Sequence, residues 1–305
     1  MAVTIGVHNS NPTLYYLSRL DHAAEELATV GETAVFHPYA NGVRTGPLLT
    51  DGVIDFGGTG STPPITAQAA GHDIVYTAVS APRPDHGALL VTEDSPARTV
   101  ADLKGGIVHL AIGSWQTHLV AKALDDNGLS YATDIVAERG GEDSEQLLRS
   151  GAIAAWVAQG PQLAAARRAG GLRVLLPTGE VITDRSVFFT RRALAEERPD
   201  VIAALLRALR RTDAWVTAHP REAAAIAADH QGGEVRDWET ALRALPWHIE
   251  DVSEEFLAEQ QRAADIFARV GFIERPVRTA DAVAREPEPT AGSTPGTTAP
   301  DRSRP

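Results

Sequence analysis

The 305-residue sequence predicts an α/β protein of two lobes with a ligand cleft between them. Three observations carry that prediction. Short apolar runs alternate with helical spacing along most of the chain, the pattern of α/β layers with mostly parallel sheets. Two Pro- or Gly-marked stretches, SAPRPDHG (80–87) and PTGEVITDR (177–185), each fall between two strand candidates. Hydrophobic residues make up 43% and charged residues 22%, so a chain of this length can bury a sizeable core. If both marked stretches join the same two lobes, residues 1–86 and 179–284 form lobe 1 and residues 87–178 form lobe 2. The cleft between them is where a ligand is expected.

The elements follow in order. TIGV (4–7) is a strand, and the leucine spacing over 12–29 predicts a helix. ETAVF (32–36), VIDF (53–56) and DIVYTAV (73–79) are further strands, and GALLV (87–91) resumes after the first break. IVHLAI (107–112) precedes a helix from Trp115 to Asn127, then come DIVA (134–137), a helix at 143–150 and AIAAWVA (152–158). An alanine-rich helix to 169, LRVLL (172–176) and SVFFT (186–190) complete the strand-bearing part. Helices at 198–217, 220–230, 235–245 and 253–270 close the fold. From 285 the chain is rich in Pro, Thr and Gly, a composition expected of a disordered tail.

Composition excludes several chemistries. There is no cysteine, so disulfides, thiolate catalysis and cysteine metal sites are ruled out. A net charge of −12 argues against nucleic acid or anionic lipid as a partner of the whole surface. The ten histidines form no HxxxH or HExxH spacing, so neither a metal nor any other cofactor is expected. No apolar run approaches the ~20 residues that span a bilayer. MAVTIGVHNS lacks a basic region followed by an apolar one. As it stands the sequence reads as cytoplasmic, and as extracytoplasmic if an export signal is missing from this form of it.

Three loops carry the candidate site. DFGGTGSTPP (55–64) runs from a strand end into a helix whose first turn suits Pro63 and Pro64. Ser61 or Thr62 is the expected N-cap, and the backbone N–H groups of Gly58, Thr59, Gly60, Ser61 and Thr62 are candidate anion donors. The plainer reading is a strand–turn–helix junction with a capping hydroxyl. AIGSWQTH (111–118) repeats the arrangement in the other lobe: Gly113 turns, Ser114 caps, and the first-turn N–H groups of Trp115 and Gln116 stay free. Trp115 either walls the pocket or packs between lobes. In VHNSNP (7–12), Ser10 or Asn11 caps the helix beginning at Pro12 or meets the ligand. GGEDSEQ (140–146) and RRALAEERPDVIAALLRALRRTDAW (191–215) read as a helix start and a charged surface helix. No catalytic triad follows from spacing, and no catalytic residue is assigned.

These segments carry a resemblance. DGVIDFGGTGSTPPITAQAAGHDIVYTA (51–78), VTEDSPARTVADLKGGIVHLAIGSWQTHLVAKALDDNGLS (91–130), SGAIAAWVAQGPQLAAA (150–166), RRALAEERPDVIAALLRALRRTDAWVTAHPREAA (191–224) and QRAADIFARVGFIERPVRTADAV (261–283) resemble the solute-binding proteins of aliphatic sulfonate, taurine and nitrate ABC importers. The resemblance implies a two-lobed periplasmic-binding-protein-like fold of type II, with two crossovers and a cleft. It implies a small sulfonate-like organic anion as ligand, an ABC permease as partner, and a monomer. It places the loops around Ser10, Gly58–Thr62 and Gly113–Gln116 on the cleft. Neutral donors there can hold a compact monoanion without a full countercharge.

Two departures qualify the resemblance. The family's Asp-Ala-Trp and Trp-Asp/Glu-Pro-Tyr are here Ala154-Ala155-Trp156 and Gln159-Gly160-Pro161-Gln162. Loss of the acid disfavours an amine-bearing ligand and leaves Gln159 as a hydrogen-bonding contact. Asp184 can reach the cleft from the second crossover, while Arg185 is expected in a hinge salt bridge. The absent export signal keeps a second reading, a cytoplasmic enzyme on the same scaffold. A desulfinase that resembles this fold uses a cysteine where Ser10 stands, and a serine needs an activating base to replace it. A third reading is an anion sensor that signals by closure.

Overall fold

In a computed structural model, residues 2–284 are described, and the expected disordered tail lies outside them. The strands fall into two sheets. The first has six strands: β1 (Ala2–Val7), β2 (Thr33–Pro38), β3 (Phe56–Thr59), β4 (Ile74–Ser80), β10 (Val187–Arg191) and β11 (Ile249–Glu250), ordered β11-β4-β10-β3-β1-β2. The second has five: β5 (Gly87–Thr92), β6 (Ile107–Leu110), β7 (Val136–Arg139), β8 (Ala155–Gln159) and β9 (Leu172–Pro177), ordered β7-β6-β8-β5-β9. The chain therefore changes sheets twice, between β4 and β5 and between β9 and β10.

The sheets are mixed rather than mostly parallel. β1 pairs in parallel with β2 and β3, and β6 with β7 and β8. The strands next to the crossovers reverse direction: β10 is antiparallel to β3 and β4, and β5 to β8 and β9. A chain that enters a sheet from the neighbouring lobe is free of the right-handed crossover that makes βαβ strands parallel.

Helices cover both sheets. The expected helix over 12–29 is two pieces, α1 (Pro12–Leu17) and α2 (His22–Ala28). Ser18 ends the first by turning its hydroxyl back to the Tyr15 carbonyl at 2.8 Å. α1, α2 and the 20-residue α9 (Pro199–Ala218) pack on the first sheet around Ile5, Leu14, Leu17, Leu27, Phe188, Leu205 and Leu209. α9 buries a face at helical spacing, Val201, Ala204, Leu205, Ala208 and Leu209. α3 (Thr45–Thr50) and β11 have no counterpart in the sequence reading, and the short α8 (Arg192–Glu197) falls within the expected charged helix over 191–215. Pro199 breaks the expected charged helix into α8 and α9. In the other lobe α5 (Trp115–Asp125), α6 (Ser144–Arg149) and α7 (Gly160–Ala169) flank the second sheet. α10 (Pro220–Gln231) and α11 (Val235–Arg243) follow α9.

The last helix ties the halves together. α12 (Glu254–Arg269) places Ala263, Ala264 and Phe267 in one apolar cluster with Ile65 of α4 (Thr62–Ala69) and Ala121 of α5. Burying that cluster costs no polar groups, so it is a sound seam between two sheets.

Candidate functional site

The loops that leave β1, β3 and β6 converge on one cavity of about 160 Å³ between the two sheets. β1 ends where its buried apolar residues end, at Val7. His8 follows and is buried, with Nε2 3.0 Å from the Gly58 carbonyl. A carbonyl only accepts, so Nε2 carries the hydrogen. Burial, against that bond, lowers the His8 pKa to about 4, so the ring is neutral at pH 7. Asn11 is the helix cap, its Oδ1 accepting from Leu14 N at 3.0 Å. Because Asn11 does the capping, Ser10 is free to line the cavity.

The glycine-rich loop divides its labour differently from the expectation. Gly57 and Gly58 belong to β3, which starts at Phe56 rather than at Val53. A Cβ on Gly57 would lie 2.6 Å from Thr45 Cγ2, and one on Gly58 2.6 Å from Phe188 Cδ1. Those glycines let a strand covered on both faces pack closely. Gly58 is thus spent on the sheet and on His8, and it does not line the cavity. Thr59, Gly60 and Pro63 do. Ser61 stands at the N-cap of α4 without capping it; its Oγ meets His118 Nδ1 at 3.3 Å instead. The Thr62 hydroxyl donates to the Ser114 carbonyl at 2.8 Å, across the gap between the sheets.

On the facing loop, Gly113 takes φ +85°, and a Cβ there would meet Val43 Cγ1 at 2.8 Å. Both reasons demand glycine. Ser114 caps α5, its Oγ accepting from Gln116 N at 3.1 Å. The expectation of wholly free first-turn N–H groups fails here. Gly113 N–H goes to Thr117 Oγ1, Ser114 N–H to the Ala111 carbonyl and Gln116 N–H to Ser114 Oγ. The Ser114 hydroxyl in turn donates to the Ala111 carbonyl at 2.7 Å, which leaves the Trp115 N–H as the donor of this turn with no partner among the described residues.

Trp115 does both jobs proposed for it. It lines the cavity, and its Cβ sits 3.3 Å from where a Gly60 Cβ would be, at the contact between lobes. Its indole Nε1 donates to Gln159 Oε1 at 3.0 Å, and Gln116 Nε2 donates to the same oxygen at 3.0 Å. An indole N–H can only donate, which fixes the Gln159 amide orientation. Its NH2 is then the end that is unengaged among the described residues. Gln116 is a brace rather than a wall: its Oε1 accepts from Ala111 N at 2.7 Å and it does not line the cavity.

The crossovers supply what the sequence reading missed. Arg83, Ser186, His8, Asn41 and Arg139 line the cavity as well. Arg83 is buried, and its Nη2 pairs with Asp184 Oδ2 at 3.0 Å while Nη1 donates to Ser186 Oγ at 3.0 Å. Its Nε is buried without a partner among the described residues. His86 Nδ1 also donates to Asp184 Oδ2, at 2.8 Å. Burial alone would raise the Asp184 carboxyl, but Arg83 and His86 outweigh it and hold it below the usual range. Burial and the Arg83 charge likewise keep His86 neutral, against the pull of Asp184. Asp184 therefore locks the two crossovers together and lies outside the cavity, contrary to its expected ligand contact. Arg185 makes the expected hinge pairs, with Glu250 at 2.6 Å and Glu259 at 3.0 Å.

Of the thirteen residues expected at the site, Ser10, Thr59, Gly60, Gly113, Ser114, Trp115 and Gln159 share the cavity, and Asn11, Gly58, Ser61, Thr62, Gln116 and Asp184 support it from outside. Arg83 had a signal, a cation between two prolines in a crossover. Arg139, in AERGGE, had none. The lining holds two arginines, three serines or threonines from facing loops and a further serine from the second crossover, and no carboxylate. In a chain of net charge −12, a wall free of acids spares an anion close repulsion from carboxylates.

The family model described as NMT1/THI5 like matches residues 34–223. A relative from Escherichia coli (strain K12), named for aliphatic sulfonates binding, is 34% identical over 220 residues, which is 72% of this chain and 69% of the relative. The crystal structure of the periplasmic aliphatic sulphonate binding protein SsuA from Escherichia coli superposes with a TM-score of 0.82 at 29% identity, covering 98% of each chain. The alkanesulfonate-binding protein SsuA from Xanthomonas axonopodis pv. citri, solved bound to MOPS, gives 0.80 at 25% identity, covering 93% of this chain and 98% of that one.

Proposed function

The chain belongs to the NMT1/THI5-like family, and on that premise we propose that it is the solute-binding protein of an ABC importer for organic sulfonates. It binds its ligand in the cavity between the two sheets, works outside the cytoplasm with a membrane permease, and acts as a monomer. The observation that carries the ligand class is the cavity wall, which offers hydroxyl and amide donors and two guanidinium groups but no carboxylate. A sulfonate is a permanent monoanion with three acceptor oxygens and no hydrogen to donate. A wall of donors satisfies it completely. Hydrogen phosphate brings an O–H that needs an acceptor, and an ammonium-bearing sulfonate such as taurine needs a carboxylate. No carboxylate lines the wall to accept that O–H as a charged partner or to neutralise the ammonium.

The two sheets are linked by two crossovers, and their lobes also meet where Arg168 of α7 pairs with Asp237 of α11, an arrangement suited to hinge closure over a ligand. Capture and release without chemistry is the corresponding mechanism. Among the described residues no base is hydrogen-bonded to the Ser10 hydroxyl, so that serine has no activating partner in this geometry.

The test is isothermal calorimetry of the chain with ethanesulfonate, sulfate, nitrate, hydrogen phosphate and taurine, with mass spectrometry of each mixture afterwards. Ethanesulfonate should bind and be recovered intact, with phosphate and taurine much weaker. Phosphate or taurine binding as tightly as ethanesulfonate, or a consumed ligand, overturns the reading.

A further inference from the structure

A second, larger space adjoins the cavity, a groove of about 510 Å³ between α7 of one lobe and α10–α11 of the other. The two spaces share walls: Ser10 and Gln159 line both. His86 lines the groove and packs its ring 4.9 Å from that of Trp115, which lines the cavity. At about 30 Å³ per water-sized group, the cavity holds about five such groups, enough for a sulfonate head and one or two carbons. Any larger organic group must leave it.

Groove and cavity meet at Gln159-Gly160-Pro161-Gln162, and all four residues line the groove. Gly160 takes φ +54°, and a Cβ there would meet nothing within 4 Å. The mouth is therefore open at that point. Beyond it the wall is mainly apolar, formed by Pro12, Pro161, Leu163, Trp238, Leu242 and Leu245, with the exposed carboxylates Asp85 and Glu234 among its other lining residues. Its inner carboxylate, Asp237, is neutralised by Arg168 at 2.6 Å. A hollow beside Arg19 and His230 also touches Ser10, but the lining it adds comes from residues outside the second sheet. Closure of the lobes would not enclose an occupant there.

We propose that this groove receives the organic group of the sulfonate, and that the favoured ligands carry an uncharged apolar group of at least about six carbons, alkyl or aryl. The inference rests on the sulfonate reading above and gives it a substrate class. Each methylene buried against such a wall raises affinity about fourfold. Because α7 and α11 come from different lobes, the organic group also joins the surfaces that meet on closure, and slows release.

The test is calorimetric titration of the full chain with ethanesulfonate, 1-octanesulfonate and 2-naphthalenesulfonate, repeated on Ala241→Trp and Ala164→Trp, which fill the groove from α11 and from α7. Octanesulfonate and naphthalenesulfonate should bind at least tenfold more tightly than ethanesulfonate. Either tryptophan should cancel most of that advantage while leaving ethanesulfonate within twofold, with thermal melts checking that each variant is folded. Equal affinity for the three ligands, or octanesulfonate unaffected by both tryptophans, overturns the groove and leaves the sulfonate reading standing. Failure of every sulfonate to bind overturns both.

Discussion

The hydroxyl of Thr62 donates to the carbonyl of Ser114 at 2.8 Å, and with that one bond the start of α4 on the first sheet holds the start of α5 beside the second. The two helix starts that border the cavity are thus fastened to each other, not only to a ligand. Thr62→Val keeps the shape and removes the donor. We expect ligand release to accelerate about fivefold, the equivalent of about 1 kcal/mol for one hydrogen bond. Stopped-flow displacement measures it; an unchanged release rate would show that the bond plays no part in closure.

Asp184 sits in the left-handed region, at φ 41°, and neutralises a guanidinium that is buried with it. Asn tolerates that backbone conformation, so Asp184→Asn tests the charge rather than the turn. Leaving Arg83 buried without its counter-ion should cost on the order of 3 kcal/mol in urea unfolding. A bound sulfonate should restore part of this, so the thermal shift produced by ligand should be larger in the variant than in the wild type. Equal shifts would mean that Arg83 does not face the ligand.

Buried titratable groups set a pH dependence with opposing parts. His8 and His118 are both lowered to about 4 by burial, so between about pH 4 and 6.5 the unfolded chain binds more protons at these sites. Stability from them rises with pH across that window. Asp213 runs the other way. Burial, opposed by its Thr13 bond at 2.8 Å and the Arg83 charge, raises it to about 7, so its contribution falls as pH rises from about 4 to 7. Asp213→Asn should steepen the rise of unfolding free energy between pH 4 and 6.5 by on the order of 1 kcal/mol per pH unit. Denaturant titrations at several pH values read this directly, and parallel curves for variant and wild type would refute it.

The cavity hydroxyls make a paired test. The Thr59 hydroxyl donates to the Gly60 carbonyl at 2.8 Å and must turn from it to reach a ligand, and on that geometry Thr59→Ala should weaken ethanesulfonate binding by about 1 kcal/mol with little effect on stability. The Ser114 hydroxyl must likewise turn from the Ala111 carbonyl to reach a ligand, so Ser114→Ala should weaken binding similarly and also cost about 1 kcal/mol of stability, because Ser114 caps α5. Affinity unchanged in both variants would remove the two facing loops from the site.

Arg139 is exposed at the rim and pairs with no acid among the described residues, whereas Arg83 is already paired. Arg139→Gln should therefore lower the association rate and flatten its salt dependence more than it changes ligand selectivity. A salt dependence identical to that of the wild type would place the steering charge elsewhere.

Much of this was legible in the sequence for a simple reason. Apolar alternation, helical spacing and glycine or proline punctuation are local, and they marked nearly every strand and both changes of sheet. The loops at 7–12, 55–64 and 111–118 were legible as helix starts because capping is also local. What the tertiary structure alone decided was how each loop spends its polar groups. Whether Ser10 or Asn11 caps α1, whether Gly58 offers its backbone to a ligand or to Phe188 and His8, and whether Asp184 meets a ligand or Arg83 all depend on partners 50 or more residues away for the last two. Arg139 shows the limit most plainly. Nothing in AERGGE distinguishes it from any surface arginine, and only the register of β7 beside β6 carries it to the rim of the cavity. The chain's local chemistry chose its elements; the packing of two sheets chose which of their donors remain for a ligand.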